Sequence, residues 1–456
     1  MPRLPQWWID VRGSLWFVPG QIVLGAVAAA IGLVQLDLLI APDVLQEWPL
    51  LFGAGADGSR ALLSAVATSM ITVAGVAFSI TVVALSLTAS QYTSRVLRNF
   101  MSDRTNQAVL GMFVGIFAYC LVVLRTIRGG DEGKFVPSLA VLFGLALAFI
   151  GIGVLIYFIH HIATSIQAAH LLATAADETR RAVDRVFPAA VGDPDREERR
   201  LTEDAGAGWQ PIPARRTGYL RWVDLGALEQ YAREHDTVVR LDRAVGEFVI
   251  EGMPLVSLKA APSSAAADVL TGSCTIGRQR SINQDVAFGI RQIVDVALKA
   301  LSPGINDTTT AVMCLDHLTA ILVQLSSRRI VWPPPGEDGP RRVLASGPTF
   351  AGLLRDALHQ IRESAAGNSV IIERVLRTLD VLARHNLAGS RRRVLLDHAR
   401  ATAELARRTI PAPADRRRLE RLATRLRRRL ANPGGPSVTP AAGAKLSATA
   451  AHPETA

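Results

Sequence analysis

Apolar positions are unevenly spread along this chain. Gly13–Leu36, Ala61–Ser94, Thr105–Leu124 and Phe135–Ile159 run for 24, 34, 20 and 25 residues without Asp, Glu, Lys, Arg or His. As a helix, about 20 apolar residues cross the ~30 Å hydrocarbon layer of a bilayer. The pattern therefore predicts four transmembrane helices, over about 15–38, 62–92, 106–125 and 136–160. The first run is too long for a cleaved signal peptide, and Trp7, Trp8, Trp16 and Phe17 suit an interfacial anchor.

Past the fourth run the helical signal continues. No breaker follows Pro137 until Pro188, which predicts an unbroken helix of about 76 Å whose part at 163–187 is a cytoplasmic stalk. Residues 188–210 read as a linker. Residues 211–260 read as a small β-rich unit, with strands in "TGYLRWVD", "TVVRL" and "EFVIEGMPLVSL", a helix capped by Asp224, and turns at Gly246 and Gly252. The pattern G-x-F-V-x-x-G-x-P-L resembles the hairpins of biotinyl or lipoyl carriers. The tip lacks their lysine, so a structural barrel-like unit is expected. Residues 261–430 read as a helical domain and 431–456 as a disordered tail. The expected fold class is a membrane all-α unit of four transmembrane helices plus a cytoplasmic α+β domain with a small β-barrel-like unit and a helical bundle.

Charge suggests an orientation. The N-terminal segment has Arg3 and Arg12, the first loop Arg60, the second Arg95, Arg98 and Arg104, the third Arg125, Arg128 and Lys134, and a basic domain follows. The positive-inside bias puts both termini in the cytoplasm. Cys120, Cys274 and Cys314 have no paired spacing, so neither a disulfide framework nor a zinc site is expected. Phosphate loop, nucleophile elbow and metalloprotease helix are all missing from the sequence, so no catalytic residue, cofactor or metal is assigned.

The stretch "LSPGINDTTTA" (301–311) separates two helical patterns, the first carrying the stripe Ile290, Ile293, Val294, Ala297, Leu298 and Leu301. Pro303 and Gly304 stop that helix, Asn306 or Asp307 caps the next, and Thr308, Thr309 and Thr310 form its first turn. Such a corner, with Ser302 beside it, is either a packed cap or an anion site at a helix N-terminus. The segments "FGIRQIVDVALKALSPGINDTTTA" and "SQYTSRVLRNFMSDRTNQAVLG" also resemble an uncharacterised bacterial family of predicted membrane proteins, domain of unknown function twenty-two fifty-four. The resemblance runs from about residue 10 to 430. It implies a bacterial multi-pass membrane protein with a cytoplasmic domain, and no functional residues.

On the second run, Ser64, Thr68, Thr72, Gly75, Ser79, Val82, Ser86, Ser90 and Thr93 fall on one helix face. Polar groups there turn away from lipid. Either copies of this helix line a water-filled path with Val82 as a constriction, or the small residues serve close helix contact. Gly111 and Gly115 on the third run also suit close contact. Asp37 is expected at the outer interface, and His160, His161 and His170 at the inner one, the adjacent pair splayed too far apart to chelate a metal.

Residues 391–430 hold 14 Arg and four acids, a balance of 14 − 4 = +10 that equals the net charge of the whole chain. The bilayer itself, other copies of the chain, and anionic lipid at this segment are the expected partners, lipid in preference to nucleic acid. The sequence thus reads as a bacterial inner-membrane protein, homo-oligomeric through its second span. An ion channel or transporter with a cytoplasmic regulatory domain is the first reading, and a non-conducting scaffold or sensor whose cytoplasmic domain binds a protein or lipid is the alternative.

Overall fold

The computed structural model describes residues 16–39, 55–91, 103–128, 135–165, 168–187, 208–259, 261, 263–333, 342–385, 387 and 389–431. Two compact units result, Met1–Leu171 and Leu172–Ala456.

The first unit holds helices α1 (Phe17–Leu39), α2 (Ala56–Gln91), α3 (Arg104–Thr126) and α4 (Ser138–Ser165). Helix α3 is central: half of its most apolar stretch is buried, against about a fifth in the other three, and it touches all of them. Lipid tails are as apolar as leucine, so helices in a bilayer associate through close van der Waals contact at small residues. Four glycines provide it. A Cβ on Gly111 of α3 would stand 2.8 Å from the Pro19 Cα of α1, and one on Gly115 would stand 3.3 Å from Ile22 Cγ2. On α4, a Cβ at Gly144 would meet Leu63 Cδ2 of α2 at 2.7 Å, and one at Gly151 would meet Met70 Sδ at 3.0 Å. Leu63 to Met70 and Gly144 to Gly151 are each one heptad, so α2 and α4 run parallel in a 3.5-residue seam. The next heptad brings Ala77 and Phe158, both buried.

The second unit begins within α5 (Ala168–Val186). The expected unbroken rod from 137 to 187 is described as two helices, with residues 166 and 167 outside the described set. Nor is the stalk segment bare. Leu172, Ala176, Ala182 and Val183 are buried, and Gly289 leaves room for Thr179, whose Oγ1 would lie 2.2 Å from a Cβ there. The amphipathic face of α5 buries itself against helix α8 (Val286–Ala300) and helix α9 (Thr308–Ser326), where Gln324 Nε2 donates to Asp184 at 2.7 Å.

Seven strands, β1 (Gln210–Pro213), β2 (Gly218–Val223), β3 (Val239–Leu241), β4 (Phe248–Val249), β5 (Pro254–Leu258), β6 (Cys274–Gly277) and β7 (Val343–Ala345), are found among the described residues. They make two open sheets, ordered β1-β5-β3-β7 and β4-β2-β6. The barrel expectation is therefore corrected. Closure needs each strand paired on both sides with a consistent stagger, and strands of two and three residues leave both sheets with free edges. Pro211 and Pro213 lie on edge strand β1, where a missing N–H costs no ladder bond. The β-rich region also outgrows 211–260, because β6 and β7 come from the stretch read as helical. Helix α6 (Leu225–Glu234), capped by Asp224, follows β2, and α7 (Ser264–Gly272) precedes β6.

Helices α8, α9, α10 (Phe350–Ser364), α11 (Ser369–Leu382), α12 (Gly389–Thr409) and α13 (Pro413–Ala431) pack on one another, whereas α6 and α7 pack against the strands. Ile290, Ile293, Val294 and Ala297 of the predicted α8 stripe are buried. Five helices, α1–α4 and α9, are long and apolar enough to cross a membrane, and α9 is the least apolar of them. Helix α9 carries polar groups aimed at a neighbour: Asp316 is ion-paired with Arg374 of α11, and Thr319 and Thr378 hydroxyls meet at 2.7 Å.

Substituting Gly111→Ala forces α1 and α3 apart and is expected to cost about 1–3 kcal/mol in an unfolding titration in detergent. Gly153→Ala on α4, with nothing within 4 Å of the added carbon, is the matched control and is expected to leave stability unchanged.

Candidate functional site

Helix α2 has two unlike faces. Leu63, Ala67, Met70, Ala74, Ala77 and Ala84 are buried against α3 and α4. Ser64, Thr68, Thr72, Gly75, Ser79, Val82 and Ser86 are all exposed, and nothing lies within 4 Å of a Cβ on Gly75. The side chain of Ser90 and the whole of Thr93 lie outside the described residues. The hydroxyl stripe therefore points outward from its own four-helix unit. Thr72 Oγ1 donates to the Thr68 carbonyl at 2.7 Å, which satisfies its proton inside the helix and leaves its oxygen lone pairs outward.

The outward face of α4 is different. Phe149, Ile150, Ile152, Ile156 and Ile159 are exposed there, bulky apolar side chains suited to acyl tails. Hydroxyls are thus set outward on α2 among exposed Ile71, Val76, Phe78 and Val83, whereas the outward side chains of α4 are mostly apolar, with Tyr157 among them.

The heptad register places the stripe in depth. Helix α3 starts at the level of His161 of α4, because Asp103 caps α3 at Thr105 N (2.9 Å) and its other oxygen lies 2.7 Å from His161 Nε2. On α2 that level falls between Ala77 and Ala84, four residues short of Ser165. Ser64 to Ser79 accordingly flank the four-helix portion, whereas Val82 stands at its α3-start end and Ser86 beyond it. Asn106, buried in the first turn of α3, has neither amide atom hydrogen-bonded.

Asp37, expected at an interface, is buried within the unit at the end of α1. Its two oxygens accept the Leu139 and Ala140 N–H groups at 3.1 Å each, so it caps α4 from the end of α1. Tyr119 of α3 donates to the Ala140 carbonyl at 2.7 Å in the same turn. Pairing across more than 100 residues leaves no local signal, though a lone acid closing an apolar run is a reason to seek a distant helix start. His160 is exposed, and the His170 side chain lies outside the described set.

At the 301–311 corner, Asp307 caps α9. It accepts Thr310 N at 3.0 Å and the Thr310 hydroxyl, and this hydroxyl holds its carboxyl below the usual carboxylate range. Asn306 takes φ +49°, Ser302 Oγ donates to the Lys299 carbonyl, and Thr308 Oγ1 accepts from Asn368, itself the cap of α11. Thr309 is exposed. The carboxylate of Asp307 occupies the place at the helix N-terminus where an anion would sit. Two side chains at the far ends of α8 and α9 escaped the sequence reading. Asp285 caps α8 and binds Arg280 through both oxygens at 2.8 and 2.9 Å, with Gly246 pressed against it. Arg391 of α12 is buried and donates to the Ser326 and Arg328 carbonyls that end α9, each at 3.0 Å. Among the described residues no group of three His, Cys, Asp or Glu side chains could hold a metal ion.

Residues 12–381 match the family described as predicted membrane protein (DUF2254), and the chain belongs to that family. It is similar to the uncharacterized proteins MT1328 and Rv1290c of two Mycobacterium tuberculosis strains and Mb1321c of Mycobacterium bovis. Each is 31% identical over 422 residues, covering 89% of this chain and 78% of the relative. No solved structure gives a significant match. The chain is thus a membrane protein with several apolar helices and a mixed α/β C-terminal region.

Asp307→Ala removes the cap of α9 and is expected to cost about 1 kcal/mol of C-terminal-unit stability, with Asp307→Asn nearly neutral at pH 7. Because the folded carboxyl titrates below its unfolded value, the native cap's contribution holds at neutral pH. It fades as pH falls through the depressed value, and thermal melts against pH are expected to show an acid-side loss that Asp307→Ala lacks.

Proposed function

We propose that the protein is a homo-oligomeric ion channel or transporter of the bacterial inner membrane. Helices α1–α4 are its four spans, both termini are cytoplasmic, and the α/β unit is regulatory. The observation that supports it is the outward hydroxyl face of α2. Several copies arranged about an axis would bring Ser64, Thr68, Thr72 and Ser79 together away from lipid, lining a polar path. In this arrangement Val82 narrows the cytoplasmic mouth, since it stands level with the start of α3. Helix α9 stays out of the bilayer in this reading, because Asp316 and Thr319 are matched to Arg374 and Thr378 within the C-terminal unit. No catalytic role is proposed.

The alternative is a non-conducting scaffold or sensor with the same assembly, its cytoplasmic unit binding a protein or lipid. The Thr72 hydroxyl supports it, since a donor already satisfied by the Thr68 carbonyl needs no water beside it.

Purified protein reconstituted in liposomes distinguishes the two. On the channel reading, ion flux is measurable, Ser79→Leu reduces it by roughly tenfold or more, Val82→Ala raises it, and the oligomer mass in mild detergent is unchanged. An oligomer without flux leaves the scaffold. A monomer in native-like lipid removes both.

A further inference from the structure

Helix α13 has an apolar floor and a cationic crest. Leu419, Ala423, Leu426 and Leu430 are buried. At 100° per residue, Arg417, Arg421, Arg425 and Arg428 fall within about an 80° arc opposite that floor, and all four are exposed. They form a row about 16 Å long at 1.5 Å per residue.

Several neighbouring arginines are already matched by carboxylates. Arg418 bridges Glu373 of α11 at 2.9 Å, and Arg429 is paired with Asp380, so one flank of α13 is pinned to α11 by charge. On α12, Arg400 faces Asp397, and Arg407 and Arg408 share Glu404. The four crest arginines have no hydrogen bond or ion pair among the described residues. Glu420, the acid nearest the crest, is half-buried on its edge. Burial of the floor and pairing of the flank are thus complete without the crest, whose charges contribute nothing visible to the fold.

We propose that the crest of α13 is a docking surface for anionic phospholipid headgroups. Charge complementarity and permanent proximity are the argument. The chain's spanning helices keep a bilayer within reach of this unit, so even a modest attraction acts at high effective concentration. A regular row of guanidinium groups with no flanking exposed large apolar side chain on α13 fits attraction at the headgroup plane without insertion. Guanidinium groups pair with phosphate oxygens, and the attraction falls with salt.

The test uses the full chain in lipid nanodiscs. A fluorophore is placed on A431C, since the three natural cysteines are buried and label poorly. Energy transfer to a headgroup-labelled acceptor lipid is compared between phosphatidylcholine discs and discs with about one-third phosphatidylglycerol. Docking gives at least a twofold rise in transfer in the anionic discs, lost at ~0.5 M salt. The rise is abolished in R417Q/R421Q/R425Q/R428Q and regained in the corresponding quadruple Arg→Lys variant. If the quadruple Gln variant melts early, the pairs R417Q/R421Q and R425Q/R428Q, each checked for native melting, replace it, with about half the rise expected of each. Equal transfer in the two discs overturns the proposal, as does an unchanged rise in the Gln variants. So does a DNA duplex that binds through the same four arginines and draws the unit away from the anionic disc, which would assign the crest to nucleic acid.

Discussion

Helices inside a bilayer gain nothing from hiding apolar surface from one another, so the first unit depends on how closely backbones can approach. Gly111 and Gly115 let α1 lie on α3, and Gly144 and Gly151 let α2 and α4 interlock one heptad at a time. Close contact of this kind fixes rotation as well as distance, because each glycine faces particular atoms of its neighbours. The outward setting of the α2 hydroxyls follows from it. Once Leu63 and Met70 are committed to the α4 glycines, Ser64, Thr68 and Thr72 have only the outside left.

The second unit is held differently. Its helices begin at side-chain caps, Asp224, Asp285, Asp307 and Asn368 among them, and α9 ends at the buried guanidinium of Arg391. The polar groups between its apolar stripes meet partner by partner, as Asp316 meets Arg374. Helix α9 thus matches a spanning helix in length and composition while its Thr319 and Asp316 are paired with α11.

Features with a periodic or local cause were legible in the sequence. Long uncharged runs forecast the apolar helices, the α8 stripe forecast its buried face, and Asp224 and Asp307 could be read as caps because each acts on the helix immediately after it. The outward face of α2 was half legible: its residues could be grouped by angle, but which way the group turned depended on α4. Features set by distant pairing escaped. Asp37 reaches α4, β6 and β7 join sheets begun 50 or more residues earlier, and Arg391 reaches the end of α9. The small unit was read as a barrel because turns and alternation identify strands without revealing whether the last one meets the first.

The bond from Asp37 to the head of α4 bears on biosynthesis. A carboxylate placed at the end of the first helix must wait for Leu139 and Ala140, 102 and 103 residues later, before its oxygens find their amide partners. Until the ribosome has delivered that turn, the nascent unit carries an unmatched acid at its rim. The fourth helix of that unit is the one that closes it.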